Sequence, residues 1–113
     1  MSSHSGGLRP WIMQRLSAVY IGLFLLFFMG TLIGNPPPDY QAWRQWVAHP
    51  FNNVLFLLFW AALLLHGWVG IRDVLMDYIS PFALRMLLLS LFGLFFIAMF
   101  AWSVSVLLGV VVA

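Results

Sequence analysis

The chain has 113 residues, of which 64% are hydrophobic and 7% carry a formal charge. A water-soluble domain needs a polar surface that this composition does not supply, so most of the chain is expected to lie in lipid. The net charge of +2 is too sparse for nucleic-acid binding, and the absence of cysteine excludes disulfides, iron–sulfur ligation and thiolate chemistry by this chain.

Three long apolar segments follow one another along the chain, each close to or above the roughly 20 residues that cross a bilayer core. Consecutive prolines after Asn35 end the first, and Pro81 disfavours helix at the residue before it and so ends the second. A signal peptide is the alternative for the first segment, but no small-residue cleavage site precedes the prolines. We predict a single membrane-anchor domain, 1–113, whose spans cover about 12–33, 51–79 and 84–113.

A short helix is predicted between the first two spans. Tyr40, Trp43, Trp46 and Val47 recur there at helical spacing, with polar residues between them. Amphipathic aromatic side chains settle at the headgroup level of a bilayer. The predicted fold class is therefore all-α and integral to the membrane, with three transmembrane helices and one short interfacial helix.

The arginines predict the orientation. Arg9, Arg15, Arg72 and Arg85 flank the side that holds the N-terminus and the second loop, whereas Arg44 alone lies in the first loop. Basic residues accumulate in cytoplasmic loops. The N-terminus is thus predicted to be cytoplasmic and the C-terminus to lie outside.

His66 interrupts the second apolar segment six residues before Arg72, a helix depth of about 9 Å. Polar groups at that depth are costly and usually functional. Gly67 and Gly70 remove β-carbons beside it, and a histidine next to a cleared helix face suits an axial ligand of haem iron. Two alternatives remain open: a histidine hydrogen-bonded to a neighbouring helix, and glycines that serve close helix packing.

One stripe of the second span continues from this histidine to the membrane boundary. In a helix, His66, Gly70, Asp73 and Asp77 fall within roughly 40° of one another around the axis. Asp73 is interpreted as part of a solvated helix end. Asp77 and Tyr78 together offer a carboxylate for proton transfer and a phenol that donates to a carbonyl, with a simple interfacial anchor as the alternative.

A second histidine ligand for the same iron is not available from this chain. His4 lies in a polar terminal stretch, and His49 precedes Pro50 on the opposite side of the membrane. The second ligand is therefore expected from another polypeptide, which is either a different subunit or a second copy of His66.

Several of these residues together resemble a known family. His66-x-x-x-Gly70 is followed by Asp77-Tyr78, and the run Gln-Arg-Leu-Ser-Ala at 14–18 opens the first span. Over nearly its whole length the chain resembles the small hydrophobic membrane anchor of succinate dehydrogenase (respiratory complex II), the smaller of that enzyme's two anchor proteins.

That resemblance implies a role for each matching residue. His66 would be an axial ligand of haem b, Gly70 would belong to the same cofactor-binding set, and Arg15 would lie near the haem propionates. Tyr78 would hydrogen-bond ubiquinone with Asp77 beside it.

The resemblance also implies partners and a location. The larger anchor, which is of the cytochrome b type, would supply the second haem ligand. The iron–sulfur and flavoprotein subunits would complete an enzyme linking the tricarboxylic acid cycle to the respiratory chain. This chain would not touch succinate, and its place would be the bacterial inner membrane.

Other assignments stay open at this point. Gly70-Ile71-Arg72 also resembles the larger anchor, although the N-terminus lacks that protein's Ser-x-x-x-Arg pattern and the Asp77-Tyr78 pair favours the smaller one. A haem b subunit of another membrane oxidoreductase and a non-redox scaffold or transporter are the alternative classes. The direction of catalysis and the choice between ubiquinone and menaquinone do not follow from the sequence.

Overall fold

The computed structural model describes residues 3–112, with their side chains from residue 8 onward. Over that range the regular structure is helical throughout: α1 (Ser3–Gly34), α2 (Tyr40–Ala48), α3 (Pro50–Tyr78) and α4 (Phe82–Val112). Three stretches, Leu8–Gly34, α3 and α4, are long and apolar enough to cross a membrane. The predicted all-α membrane fold, with three spans and one short helix, is confirmed.

The first helix begins earlier than the sequence predicted. It starts at Ser3 rather than near residue 12, and Pro10 lies inside it. A proline removes one backbone donor and its ring crowds the preceding turn. α3 begins and ends within one residue of its predicted bounds, and α4 begins two residues before its own.

Side chains cap the two helices that follow the proline run. Asp39 Oδ1 accepts a hydrogen bond from the Ala42 backbone N–H at 2.8 Å, which starts α2. His49 Nδ1 accepts one from the Phe51 N–H at 3.2 Å, and Pro50 occupies the first turn of α3, where its missing N–H is not needed. His49 therefore has a structural role at a helix start.

The three long helices form a layer rather than a closed bundle. α3 packs against α1 on one side and α4 on the other, whereas α1 and α4 do not meet through the described backbone. The buried hydrophobic side chains are few: Phe24, Val47, Val69, Leu75 and Leu107. Most of the apolar surface is therefore free for lipid or for other protein chains.

Aromatic packing and one amide hold α2 across the ends of the long helices. Trp43 and Trp46 stack with ring centroids 5.7 Å apart, and Phe28 of α1 meets both rings edge-on. Asn53 Nδ2 of α3 donates to the Val47 carbonyl of α2 at 3.1 Å and to the Leu107 carbonyl of α4 at 3.2 Å, so one amide joins the three helices. α2 thus closes the end of the molecule that is remote from His66.

The orientation in the membrane stays a prediction, and it has a direct test. Four of the five arginines flank the N-terminus and the connection between α3 and α4, which is only Ile79–Pro81. A reporter that is active solely in the cytoplasm should therefore be active when inserted at Ser80, within the 72–85 stretch, and silent when fused after Ala113. Activity at Ala113 with silence at Ser80 would reverse the orientation and place the Asp77–Tyr78 end of α3 outside.

Candidate functional site

The intramembrane histidine is joined to α1 by a side-chain hydrogen bond. α1 and α3 run antiparallel, and Ser17 Oγ lies 3.1 Å from His66 Nδ1. The Ser17 side chain is buried, whereas His66 is half-buried. The sequence-based alternative of a histidine bonded to a neighbouring helix is therefore present in the structure, and one of the two ring nitrogens is engaged by it.

The hydrogen bond between these two side chains allows either direction. Ser17 Oγ also lies 3.1 Å from the Gln14 carbonyl oxygen, three residues earlier in its own helix. A serine hydroxyl has one hydrogen and two acceptor lone pairs, so it can donate to a bare Nδ1 or, with its hydrogen on Gln14, accept from an Nδ1–H. In the second arrangement the neutral imidazole carries its lone pair on Nε2.

The two glycines near His66 face other helices of this chain. A β-carbon at Gly67 would lie 3.5 Å from the Phe96 ring of α4, and one at Gly70 would lie 3.8 Å from Gln14 Nε2 of α1. Both are ordinary van der Waals distances, so packing within this chain does not by itself require glycine at either position. The cofactor-binding role of Gly70 stays a prediction.

Gln14, at the same interface between α1 and α3, has a buried side-chain oxygen, Oε1, without a hydrogen-bond donor among the described residues. A buried acceptor without a donor costs about 1–3 kcal/mol. Gln14 Oε1, at the α1–α3 interface next to Gly70, is therefore an acceptor that a hydrogen-bond donor from another molecule would satisfy.

An apolar groove of about 370 Å³ lies between α1 and α3, and Ser17, the partner of His66, is among its lining residues. Small side chains, Ala61 and Ala62, form part of its α3 wall, and Ser17 forms part of its α1 wall. Between residues 8 and 112 no three or more histidine, cysteine or acidic side chains gather into a metal site. A haem iron takes only its axial ligands from protein, so a single imidazole whose Nε2 has no partner among the described side chains fits one axial position.

Arg15 lies two residues before Ser17 and is exposed. Its guanidinium carbon is 5.1 Å from the centroid of the Trp11 ring, a cation–π geometry. Arg15 lies close in the chain to Ser17, the residue of α1 that contacts His66. The structure describes no contact between the Arg15 and His66 side chains.

Asp77 and Tyr78 occupy the last turn of α3, about 18 Å along the helix from His66 at 1.5 Å per residue. Both are exposed, Tyr78 to 79% of its full surface. The structure therefore does not bring them together with His66 but presents them at the helix end. One turn earlier, Asp73 pairs with Arg72 at 3.1 Å, and both side chains are exposed, as expected of a solvated helix end.

The backbone just after Tyr78 is tied to the start of α4, which the sequence reasoning did not foresee. Arg85 Nε donates to the Ile79 carbonyl at 3.0 Å, and a second guanidinium nitrogen lies 3.4 Å from the Ser80 carbonyl oxygen. These carbonyls follow the last turn of a helix and need donors from elsewhere. An arginine four residues after a helix-ending proline was the available signal.

The partner of His66 was also missed by sequence reasoning. Ser17 stood in the run that carries the family resemblance, but no pairing with His66 was predicted. The available signal was a small polar side chain in the first apolar segment. Because the first two spans are antiparallel, Ser17 and His66 lie at a similar depth in the membrane.

A second cavity lies at the opposite end. It measures about 470 Å³ and is lined by residues of α2, α3 and α4, with Trp43, Arg44, Trp102 and Ser103 among them. None of the residues predicted to bind a cofactor lines it.

These features define a class: a small helical membrane protein with one intramembrane histidine, whose Nδ1 contacts Ser17 and whose Nε2 has no hydrogen-bond partner among the described side chains. The family model for succinate dehydrogenase/fumarate reductase transmembrane subunits matches residues 2–105, and the chain belongs to that family.

Its relatives include proteins named succinate dehydrogenase hydrophobic membrane anchor subunit. The protein of Coxiella burnetii is 27% identical over 89% of this chain and 88% of its own. That of Rickettsia typhi is 33% identical over 83% of this chain and 75% of its own. That of Rickettsia felis is 28% identical over 89% and 84%. The predicted resemblance to the hydrophobic membrane anchor is confirmed.

Proposed function

We propose that this chain anchors a succinate dehydrogenase in the bacterial inner membrane, supplies one axial ligand to a haem b and forms part of a ubiquinone site. Family membership supports the first part. The observation that supports the haem assignment is the engagement of His66 Nδ1 by Ser17, which leaves Nε2 free.

Each residue near the histidine has a defined task in this proposal. His66 Nε2 offers its lone pair to the iron, Gly70 keeps the helix face beside it free of a side chain, and Arg15 balances propionate charge at the same end of the helices. When bound, haem b supplies one-electron redox chemistry. The second axial ligand comes from the larger, cytochrome b-type anchor.

Quinone reduction needs protons as well as electrons, and the end of α3 can supply both a donor and a proton acceptor. The Tyr78 hydroxyl donates a hydrogen bond to a quinone carbonyl, whose oxygen gains negative charge during reduction. The Asp77 carboxylate, one residue earlier, exchanges protons with the cytoplasmic boundary. The exposure of both side chains leaves them available to a site completed by other subunits.

The partners in this proposal are the larger, cytochrome b-type anchor, the iron–sulfur subunit and the flavoprotein subunit. The exposed apolar surface of the three-helix layer is where the larger anchor and lipid would pack. Succinate is oxidised on the flavoprotein subunit, and this chain serves as anchor and electron-transfer subunit without being catalytic alone.

The composition of the complex purified through this chain is the direct test. We expect a flavoprotein, an iron–sulfur protein and a second hydrophobic subunit to copurify with it. The dithionite-reduced minus oxidised spectrum should show a b-type α-band. A haem-containing complex with several intramembrane histidines and no flavin partner would instead assign the chain to another oxidoreductase, and the absence of haem and flavin together would favour a scaffold.

A further inference from the structure

We infer that Ser17 is a positioning residue for His66: by accepting a hydrogen bond from Nδ1–H it holds the orientation of the imidazole and makes Nε2 a stronger electron donor to the iron. This inference rests on the proposed haem ligation and deepens it by assigning a role to a residue of α1 that has no contact with the iron. The distance between the two side-chain atoms, 3.1 Å, is within hydrogen-bond range.

The direction of the hydrogen bond follows from the proposed ligation. A neutral imidazole that binds iron through Nε2 carries its hydrogen on Nδ1, so Ser17 Oγ accepts at that contact. The geometry permits this direction, because the hydroxyl hydrogen can point to the Gln14 carbonyl oxygen, 3.1 Å away. The reversed tautomer would put the N–H on Nε2 and block that nitrogen as a ligand.

The burial of Ser17 strengthens its hydrogen bond with His66. The Ser17 side chain is only 6% exposed, so water has little access to replace its hydroxyl as the partner of Nδ1. Polar interactions are stronger in such low-dielectric surroundings. Metal-ligating histidines commonly donate their second N–H to an acceptor, which orients the ring and raises the basicity of the ligating nitrogen.

A more basic ligand favours ferric over ferrous iron, so removal of the acceptor should raise the midpoint potential of the haem. In the purified complex we expect Ser17→Ala to retain a low-spin b-type spectrum. At a fixed potential its ratio of oxidised to reduced haem should fall by up to about tenfold, which is about 59 mV for one electron. The measurement is a redox titration of the b-type absorbance, with the low-spin ferric resonance recorded in parallel.

Three further variants separate tuning from packing. Ser17→Thr keeps the hydroxyl and should titrate close to the parent complex, while Ser17→Cys has nearly the same volume but a weaker acceptor and should shift in the alanine direction. Ser103→Ala is the matched control, because Ser103 is 8% exposed and its hydroxyl bonds only to the Met99 carbonyl of its own helix. It should leave the potential unchanged.

The outcomes distinguish this inference from the proposed function. If His66→Ala removes the low-spin signal but Ser17→Ala and Ser17→Cys titrate like Ser103→Ala, the histidine is the ligand and Ser17 has no tuning role. If neither Ser17→Ala nor Ser17→Cys assembles while Ser103→Ala does, the hydroxyl is a requirement of the fold and the inference is overturned. An unchanged spectrum in His66→Ala would instead reject the ligand itself.

Discussion

Replacement of His66 by alanine is expected to abolish or alter the low-spin b-type signal of the purified complex. The variant loses Nε2, the proposed ligand atom, and no other histidine lies within the three spans. Water or another side chain can occupy a vacated axial position, so retained haem alone does not decide the matter. The measurement is the reduced minus oxidised spectrum together with the ferric spin state.

His49→Ala is the matched control for that experiment. This variant also removes a histidine, but His49 lies just before α3 and its Nδ1 caps the start of that helix at the Phe51 N–H. We expect the loss of this cap to cost about 1 kcal/mol of stability and to leave the haem spectrum as it was. A low-spin spectrum that survives in His66→Ala and disappears in His49→Ala would exchange their roles.

The second large effect is expected at the C-terminal end of α3. Tyr78→Phe retains the ring and removes only the hydroxyl, so a residue that merely anchors the helix end should tolerate it. Loss of a hydrogen bond to developing negative charge should cost about 1.5–3 kcal/mol, or about ten- to a hundredfold in the rate of ubiquinone reduction. Succinate oxidation with an artificial dye that bypasses the quinone should stay normal.

Tyr40→Phe provides a comparison at the other end of the molecule. Tyr40 is exposed to 73%, close to the 79% of Tyr78, and it begins α2 rather than ending α3. We expect Tyr40→Phe to reduce ubiquinone at the parental rate. Equal rates of ubiquinone reduction for the parent, Tyr40→Phe and Tyr78→Phe would show that Tyr78 is only an interfacial anchor.

The sequence was sufficient for the fold because the membrane imposes simple rules on it. Uncharged length identifies spans, and the proline run and Pro81 end helices for local backbone reasons, so these boundaries were close to the observed ones. The start of α1 was harder to place. The polar stretch before Pro10 contains no strong stop signal, and hydropathy locates the membrane segment rather than the whole helix.

The candidate site was only partly predictable, for a different reason. His66 stands out because a polar side chain in an apolar run is rare, whereas its contact with Ser17 depends on the register between two antiparallel helices. Local patterns do not specify that register. For the same reason Gly70 could be noted as a gap in the side-chain surface, but its neighbour Gln14 could not be foreseen.

The attachment of Arg85 to the end of α3 bears on how readily the exposed phenol can engage a ligand. Ordering the backbone of a flexible segment costs about 1–2 kcal/mol of conformational entropy per residue. Here the Arg85 side chain already holds the helix end through the carbonyl of Ile79, so in the proposed quinone site only the side-chain torsions of Tyr78 would remain to be restricted. The entropic penalty of recruiting this hydroxyl would therefore be that of one side chain, even though 79% of its surface is exposed.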